Sequence, residues 1–235
     1  MTSPRHNHFL SQLPDAEIEQ LLPQLQLVSL TQGQVLLEIG EVPQFGYFPV
    51  GAVISVMCEL DDAYTVETNV VGRSSMFPLS NHGVESFNRA VVRHTGLAYR
   101  MRLDAFIQAR RTSPFFLEAL RMAVLNAFRQ LHFAIACGKR HSVEQQLVRW
   151  MLVSMDHSGS NTISATHAEL ASILGFRREV ITLTLGKLVA KTCITISRGE
   201  ITVCDKYTLE RHACECYWLA KGQHRPVFTA LLEAS

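Results

Sequence analysis

Arg177, Arg178 and Glu179 stand side by side in GFRREVITL, at the mouth of an apolar run with helical spacing. Arginine carries a fork of donors matched to guanine O6 and N7, and glutamate accepts from cytosine N4. The partial positive charge of a helix N-terminus disfavours arginine. A cationic pair placed there either faces a strongly negative partner or belongs to an indifferent surface turn. Thr166, His167, Lys187 and Arg198 flank the run as candidate phosphate contacts, which fix register without reading sequence. Cysteine offers a second chemistry, with six residues at 58, 137, 193, 204, 214 and 216. Their scatter along a long chain predicts reduced thiols. Cys214 and Cys216 form a C-x-C pair whose spacing matches no common zinc pattern. Read as small apolar fillers of a helix in ACECYWLA, they predict no metal.

The elements that must position the arginines are legible around them. THAE (166–169) is a capping box, with Thr166 at the N-cap and Glu169 three residues on. The helix it opens, HAELASILG, buries Leu170, Ile173 and Leu174 and stops at Gly175, which tolerates a left-handed exit. A second helix from about Arg177 to Lys191 turns Val180, Ile181, Leu185 and Leu188 inward. TCITISRGEITVCD then gives two β-like runs about Arg198-Gly199. Two short helices joined by a tight glycine turn, followed by a wing, are a winged helix-turn-helix, whose second helix enters the major groove of DNA.

Upstream the texture differs. LPDAEIEQLLPQLQL (13–27) predicts a short amphipathic helix, since Pro14, Asp15 and Glu17 are start signals. From Val28 to about Leu103, β-branched runs punctuated by glycines predict a compact antiparallel sandwich or barrel. From Pro114 a long helix follows, in which Leu117, Leu120, Val124, Ala127, Leu131 and Ala134 keep a 3-4-3-4-3 spacing. That spacing predicts a coiled-coil dimer seam, the alternative being an intramolecular core helix. Phe115, Phe116, Phe128 and Phe133 lie off the seam and predict packing on the helix's own β domain. Gly138 ends this helix, Lys139–Ser142 form a hinge, and Ser142 caps VEQQLVRWMLVSM. The fold class is therefore α+β, with a β domain over 1–110, a dimerisation helix over 111–138 and a DNA-binding domain over 139–235.

Composition sets outer limits. The 235 residues are 47% hydrophobic, and 22 basic against 21 acidic residues leave a net charge of +1. Any DNA contact must come from a local patch rather than global charge. No run approaches the roughly 18 apolar residues of a membrane span, and MTSPRHNHFL lacks the apolar core of a secretory signal, so a cytoplasmic protein with no membrane partner is expected. No G-x-S-x-G elbow, P-loop, H-E-x-x-H or dinucleotide fingerprint appears, and no enzyme is expected.

THAELASILGFRREVITLTLGKL carries a specific resemblance to the Crp/Fnr family of bacterial transcription regulators, and the order of segments extends it over nearly the whole chain. The resemblance implies an N-terminal β-roll, a cyclic-nucleotide-binding-like jelly roll, then a long dimerisation helix and the winged helix-turn-helix. It implies a homodimer on double-stranded DNA, with RNA polymerase as a further partner. In the family the recognition helix begins with Arg-Glu after a Gly-x-x turn, which gives Arg178 and Glu179 the base-reading role with Arg177 beside them. Where well-known members carry a further arginine one turn on, this chain has Leu183. Thr182 and Leu183 would offer a weak polar contact and a thymine-methyl contact instead.

The sensor half departs more. Cyclic-nucleotide binders in the family use a Gly-Glu pair followed by an arginine. Aligned on Arg89, those positions hold Pro78, which has no amide proton to donate, and Leu79, which cannot accept from ribose hydroxyls. Independence from cAMP follows as an expectation, and no cofactor is predicted. The N-terminal cysteine cluster of iron–sulfur members is absent, and neither His82 nor His94 stands out as a haem ligand. Either the roll binds another small effector near Arg73, Arg89 and Arg93, or it is a structural platform in which Arg73 merely decorates a β-turn. A ligand-gated regulator that takes a cyclic nucleotide despite the altered cassette is the remaining alternative.

Overall fold

The computed structural model describes residues 2–60, 65–79 and 83–223. Two short helices, α1 (His8–Ser11) and α2 (Asp15–Leu21), precede a β domain. Its strands are β1 (Gln26–Leu30), β2 (Val35–Leu37), β3 (Phe45–Pro49), β4 (Val53–Glu59), β5 (Thr65–Val71), β6 (Arg89–His94) and β7 (Gly96–Arg102). They form two antiparallel sheets, β1-β7-β3 and β2-β6-β4-β5. Between the sheets lie Leu37, Ile54, Val71, Ala90 and Val92, while Phe9, Phe48, Met101, Phe106 and Phe116 cement the roll to the helices around it.

Helix α3 (Leu103–Thr112) leads into the long α4 (Pro114–Arg140), which Ser113 caps through the Phe116 amide and which Pro114 starts at the position where its missing N–H costs nothing. Helix α4 does not stop at Gly138. It runs two residues further, and the break falls at His141 and Ser142. A glycine inside a helix costs only about 1 kcal/mol, whereas Ser142 supplies a full capping box with Gln145 for the next helix, α5 (Val143–Ser158). The strong start signal, not the glycine, sets the hinge. Gly159, at φ 75°, closes α5 in the left-handed conformation.

The C-terminal unit contains β8 (Thr162–Ser164), α6 (His167–Leu174), α7 (Arg178–Ala190), β9 (Ile194–Ser197) and β10 (Glu200–Val203), then α8 (Lys206–Arg211) and α9 (Glu215–Ala220). The wing has three strands in the order β8-β10-β9, one more than the two-run pattern predicts. Its hairpin turns on Arg198 (φ 50°) and Gly199 (φ 81°), the double positive φ that matches the twist of flanking strands. Leu147, Met151 and Leu152 of α5 join Leu170, Ile181, Leu185, Leu188, Ile201 and Tyr217 in one core. Val180, expected inward, is exposed, and Thr184 is buried instead, its hydroxyl donating to the Val180 carbonyl at 2.7 Å.

The expected dimer seam is split by the fold. Leu120 is buried against its own β domain, Val124, Ala127 and Leu131 border a cavity beside the roll, and Leu117 and part of Val124 are exposed to solvent. Phe116 packs inward as expected, but Phe128, expected to do so, is 66% exposed. Helix α4 thus presents Leu117, Val124, Leu125, Phe128 and Ile135 on its surface. Among the described residues, no helix is long and apolar enough to cross a membrane.

Candidate nucleic-acid interface

Thr166 caps α6: its hydroxyl accepts from the Glu169 amide at 3.2 Å, and the Glu169 carboxylate accepts from the Thr166 amide at 2.6 Å. Gly175, at φ 72°, makes the turn into α7. Arg177 is the N-cap of α7 and contributes no side-chain cap bond, so the first turn of this helix presents its amides unscreened by a capping side chain. Arg177, Arg178 and Glu179 are exposed, and their side chains form no hydrogen bond or ion pair among the described residues, although the Arg177 carbonyl accepts from the Val180 and Ile181 amides. Arg178, Thr182 and Gly186 follow one another at i, i+4 and i+8, and Glu179 and Leu183 lie beside them on the outer face. Leu183 is 68% exposed, an apolar side chain that the module's own core does not claim.

The flanking candidates divide. The Ala165 amide donates to the Gly199 carbonyl at 3.0 Å, which draws the wing tip with Arg198 to the start of α6 with Thr166 and His167. His167 Nδ1 lies 2.9 Å from the Thr182 hydroxyl, so these two form one polar pair across the helix–helix junction. Lys187 is exposed in the last turn of α7, two turns from the base-facing end.

The sensor arginines are not gathered into one pocket. Arg93 Nη1 bonds both carboxylate oxygens of Glu67, at 2.8 and 3.0 Å, with only 9% and 4% of the two side chains exposed. The Ser55 hydroxyl and the Trp150 indole N–H also donate to Glu67, and Arg93 reaches Ser154 at 3.1 Å. This network joins the roll to α5. Arg89 pairs with Glu38 at 2.9 Å and approaches Glu59 at 3.9 Å. Arg89 and Arg93 border a cavity of about 250 Å³ between the roll and α6. Arg73 lies elsewhere, with its guanidinium against Gly159 at the C-terminal end of α5, where a helix dipole favours a cation. His157 nearby is held well below its ordinary pKa, at about 4, first by burial and then by the charges of Arg93 and Arg73. Gly72 is required beside it, because a Cβ there would meet the His157 backbone at 2.8–2.9 Å.

Pro78 and Leu79 line a larger, partly open cavity of about 650 Å³, which α4 borders with Val124, Ala127 and Leu131. Val56, Val71, Met76, Phe77 and Phe87 make its walls largely apolar, and no arginine among the described residues borders it. His94 is a partly buried residue of β6, and His82 lies outside the described residues.

Residues 145–212 match the family described as the Crp-like helix-turn-helix domain. No curated protein matches the sequence. Among solved structures, one assigned to the Crp/Fnr regulators from Eubacterium rectale superposes with a TM-score of 0.68 at 16% identity, covering 88% of this chain and 98% of that one. A regulator of the CRP family from Thermus thermophilus gives 0.67 at 16% identity, over 79% and 96% of the two chains. FixK2 from Bradyrhizobium japonicum gives 0.67 at 13% identity, over 81% and 98%. The chain has the roll, long helix and C-terminal helix-turn-helix of Crp/Fnr regulators, and the resemblance carried by the 166–188 stretch holds.

Proposed function

Taking the chain as a Crp/Fnr-type transcriptional regulator with a Crp-like helix-turn-helix domain, we propose that it acts as a homodimer on a palindromic operator, without cAMP. The observation that carries this reading is the uncommitted start of α7. The side chains of Arg177, Arg178 and Glu179 have no partner among the described residues, and Thr166, His167 and Arg198 flank them as phosphate contacts. Arg178 and Glu179 read base edges, and Leu183 packs on a thymine methyl. The exposed apolar row of α4, with Phe128 at its middle, pairs two copies in the cytoplasm, and the half-sites then lie about one helical turn apart. The roll and α3 form the sensor platform, α4 (Pro114–Arg140) the pairing helix and the unit after the His141–Ser142 hinge the reader. A dimer seated in this way presents its outer face to RNA polymerase at a promoter. No catalytic step is assigned to any side chain.

Independence from cAMP is supported by Pro78 and Leu79, and by Arg89 being engaged with Glu38 rather than aimed into the cavity beside α4. That cavity favours a second reading, in which an apolar effector binds there and shifts α4 directly through Val124 and Leu131. Site selection from random duplexes, followed by footprinting, tests the main reading. Symmetric protection is expected, and Arg178→Ala should lose base preference; unchanged preference would remove α7 as the reader. Calorimetry with cAMP and cGMP should give no heat, and an Arg89-dependent signal with either would overturn nucleotide independence.

A further inference from the structure

Because α4 continues through Gly138, Cys137 and His141 fall one turn apart at its C-terminal end. From the opposite side, Cys214 occupies the N-cap of α9 and Cys216 lies in its first turn. The two pairs converge: the three sulfurs and a ring nitrogen of His141 all lie within 4.8 Å of one another. Cys137 Sγ stands 3.6 Å from Cys214 Sγ, and Cys216 Sγ stands 3.6 Å from His141 Nδ1. For a tetrahedral zinc ion with the usual Zn–S and Zn–N lengths, ligand edges measure about 3.8 Å between sulfurs and about 3.6 Å between sulfur and nitrogen. Two edges are therefore already at the required length. The wider ones need to close by about 1 Å, which is within the reach of side-chain torsions.

We propose that Cys137, His141, Cys214 and Cys216 form a closed, four-ligand zinc site that staples the end of α4 to α9. Three features beyond the donor count support it. First, His141 Nε2 lies 3.3 Å from the Glu215 carboxylate, the outer-shell partner that fixes a ligating imidazole and leaves Nδ1 for the metal. Second, Cys137, Cys214 and Cys216 are almost fully buried, at 1%, 0% and 4% exposure, with Phe133 packed against them. A buried three-thiolate, one-imidazole set is soft enough to select zinc over magnesium or calcium, and it leaves no open position for substrate, so the site is structural. Third, the Arg149 guanidinium acts on Cys137 and Cys216, and its Nε has no hydrogen-bond acceptor among the described residues. Zinc binding displaces three thiol protons while the imidazole stays neutral, with no change of oxidation state. The resulting site carries one negative charge, which Arg149 neutralises.

The ligands straddle the His141–Ser142 hinge, so the ion fixes how the long helix joins the C-terminal unit. The metal site itself does not depend on the DNA-binding reading, and its test does not use DNA. The full chain, purified under reducing conditions and dialysed against zinc, should retain one zinc per chain by elemental mass spectrometry. Cys137→Ser and Cys216→Ser should lose it, and Cys58→Ser and Cys204→Ser should keep it. Replacement of zinc by cobalt should give the intense visible bands of a tetrahedral ion. His141→Cys should retain the ion and strengthen the sulfur-to-cobalt charge transfer, a result that folding defects cannot mimic. A metal-free wild-type chain, an octahedral cobalt spectrum, unchanged metal content in Cys216→Ser, or a Cys137–Cys214 disulfide recovered as the resting state would each overturn the proposal.

Discussion

Two sets of arginines in this molecule differ in what surrounds them. The side chains of Arg177 and Arg178 stand exposed at the start of α7 with no partner among the described residues, while Arg89 and Arg93 of β6 are each held by a carboxylate of the same chain. A guanidinium in water loses little by being unpaired, so the fold does not need Arg178, and it is free for a partner that supplies negative charge. A guanidinium with 9% of its side chain exposed requires compensation, and Glu67 gives it. Arg93 therefore serves the joint between roll and α5, and is withdrawn from any anionic ligand. Arg89 lies between these extremes, half-exposed and paired at the rim of the smaller cavity.

The sharpest way to break this contrast is Arg93→Ala, which strands Glu67 as a buried charge. A loss of about 3–5 kcal/mol is expected in denaturant unfolding, and a loss within experimental error would return Arg93 to the list of ligand-binding residues. Arg178→Ala should do the reverse. Thermal stability should stay within about 0.5 kcal/mol, while operator affinity falls by about 1–3 kcal/mol with preference relaxed at one base pair, measured on selected and scrambled duplexes. Thr166→Ala removes the cap that holds the reader's first helix, and calorimetric unfolding should show a loss of about 1 kcal/mol. A cost far larger than that would mean that Thr166 supports more than its own helix. Arg89→Ala gives the smallest effect, under about 1 kcal/mol, since its ion pair is a surface one. Thermal melts that showed more would place Arg89 with Arg93.

The reader half was legible before its structure, because its signals are local. The capping box of Thr166 and Glu169, the left-handed Gly175 and the positive-φ turn at Arg198-Gly199 each depend on residues within a few positions of one another. Misreadings arose where phase or distance mattered. In α4 a strict heptad pattern picked Leu120 as seam and Phe128 as core, and packing against the roll rotated the helix the other way. Val180 belongs to the apolar pattern of α7, yet it lies at the margin of the buried stripe and stays outside. The C-x-C pair was read as filler, correctly as to burial. Its neighbours Cys137 and His141 lie more than 70 positions upstream, and the i, i+4 spacing between them exists only because the helix runs past Gly138.

The sequence by itself determined the element order, the helix-turn-helix and two of the three wing strands, since caps, turns and periodicity are settled by short-range hydrogen bonding and sterics. The tertiary structure alone decided which face of α4 is outward, which arginines are neutralised, and which thiols meet. Those outcomes depend on how distant segments bury area against one another, and burial, unlike a cap, leaves no mark on the few residues that flank it.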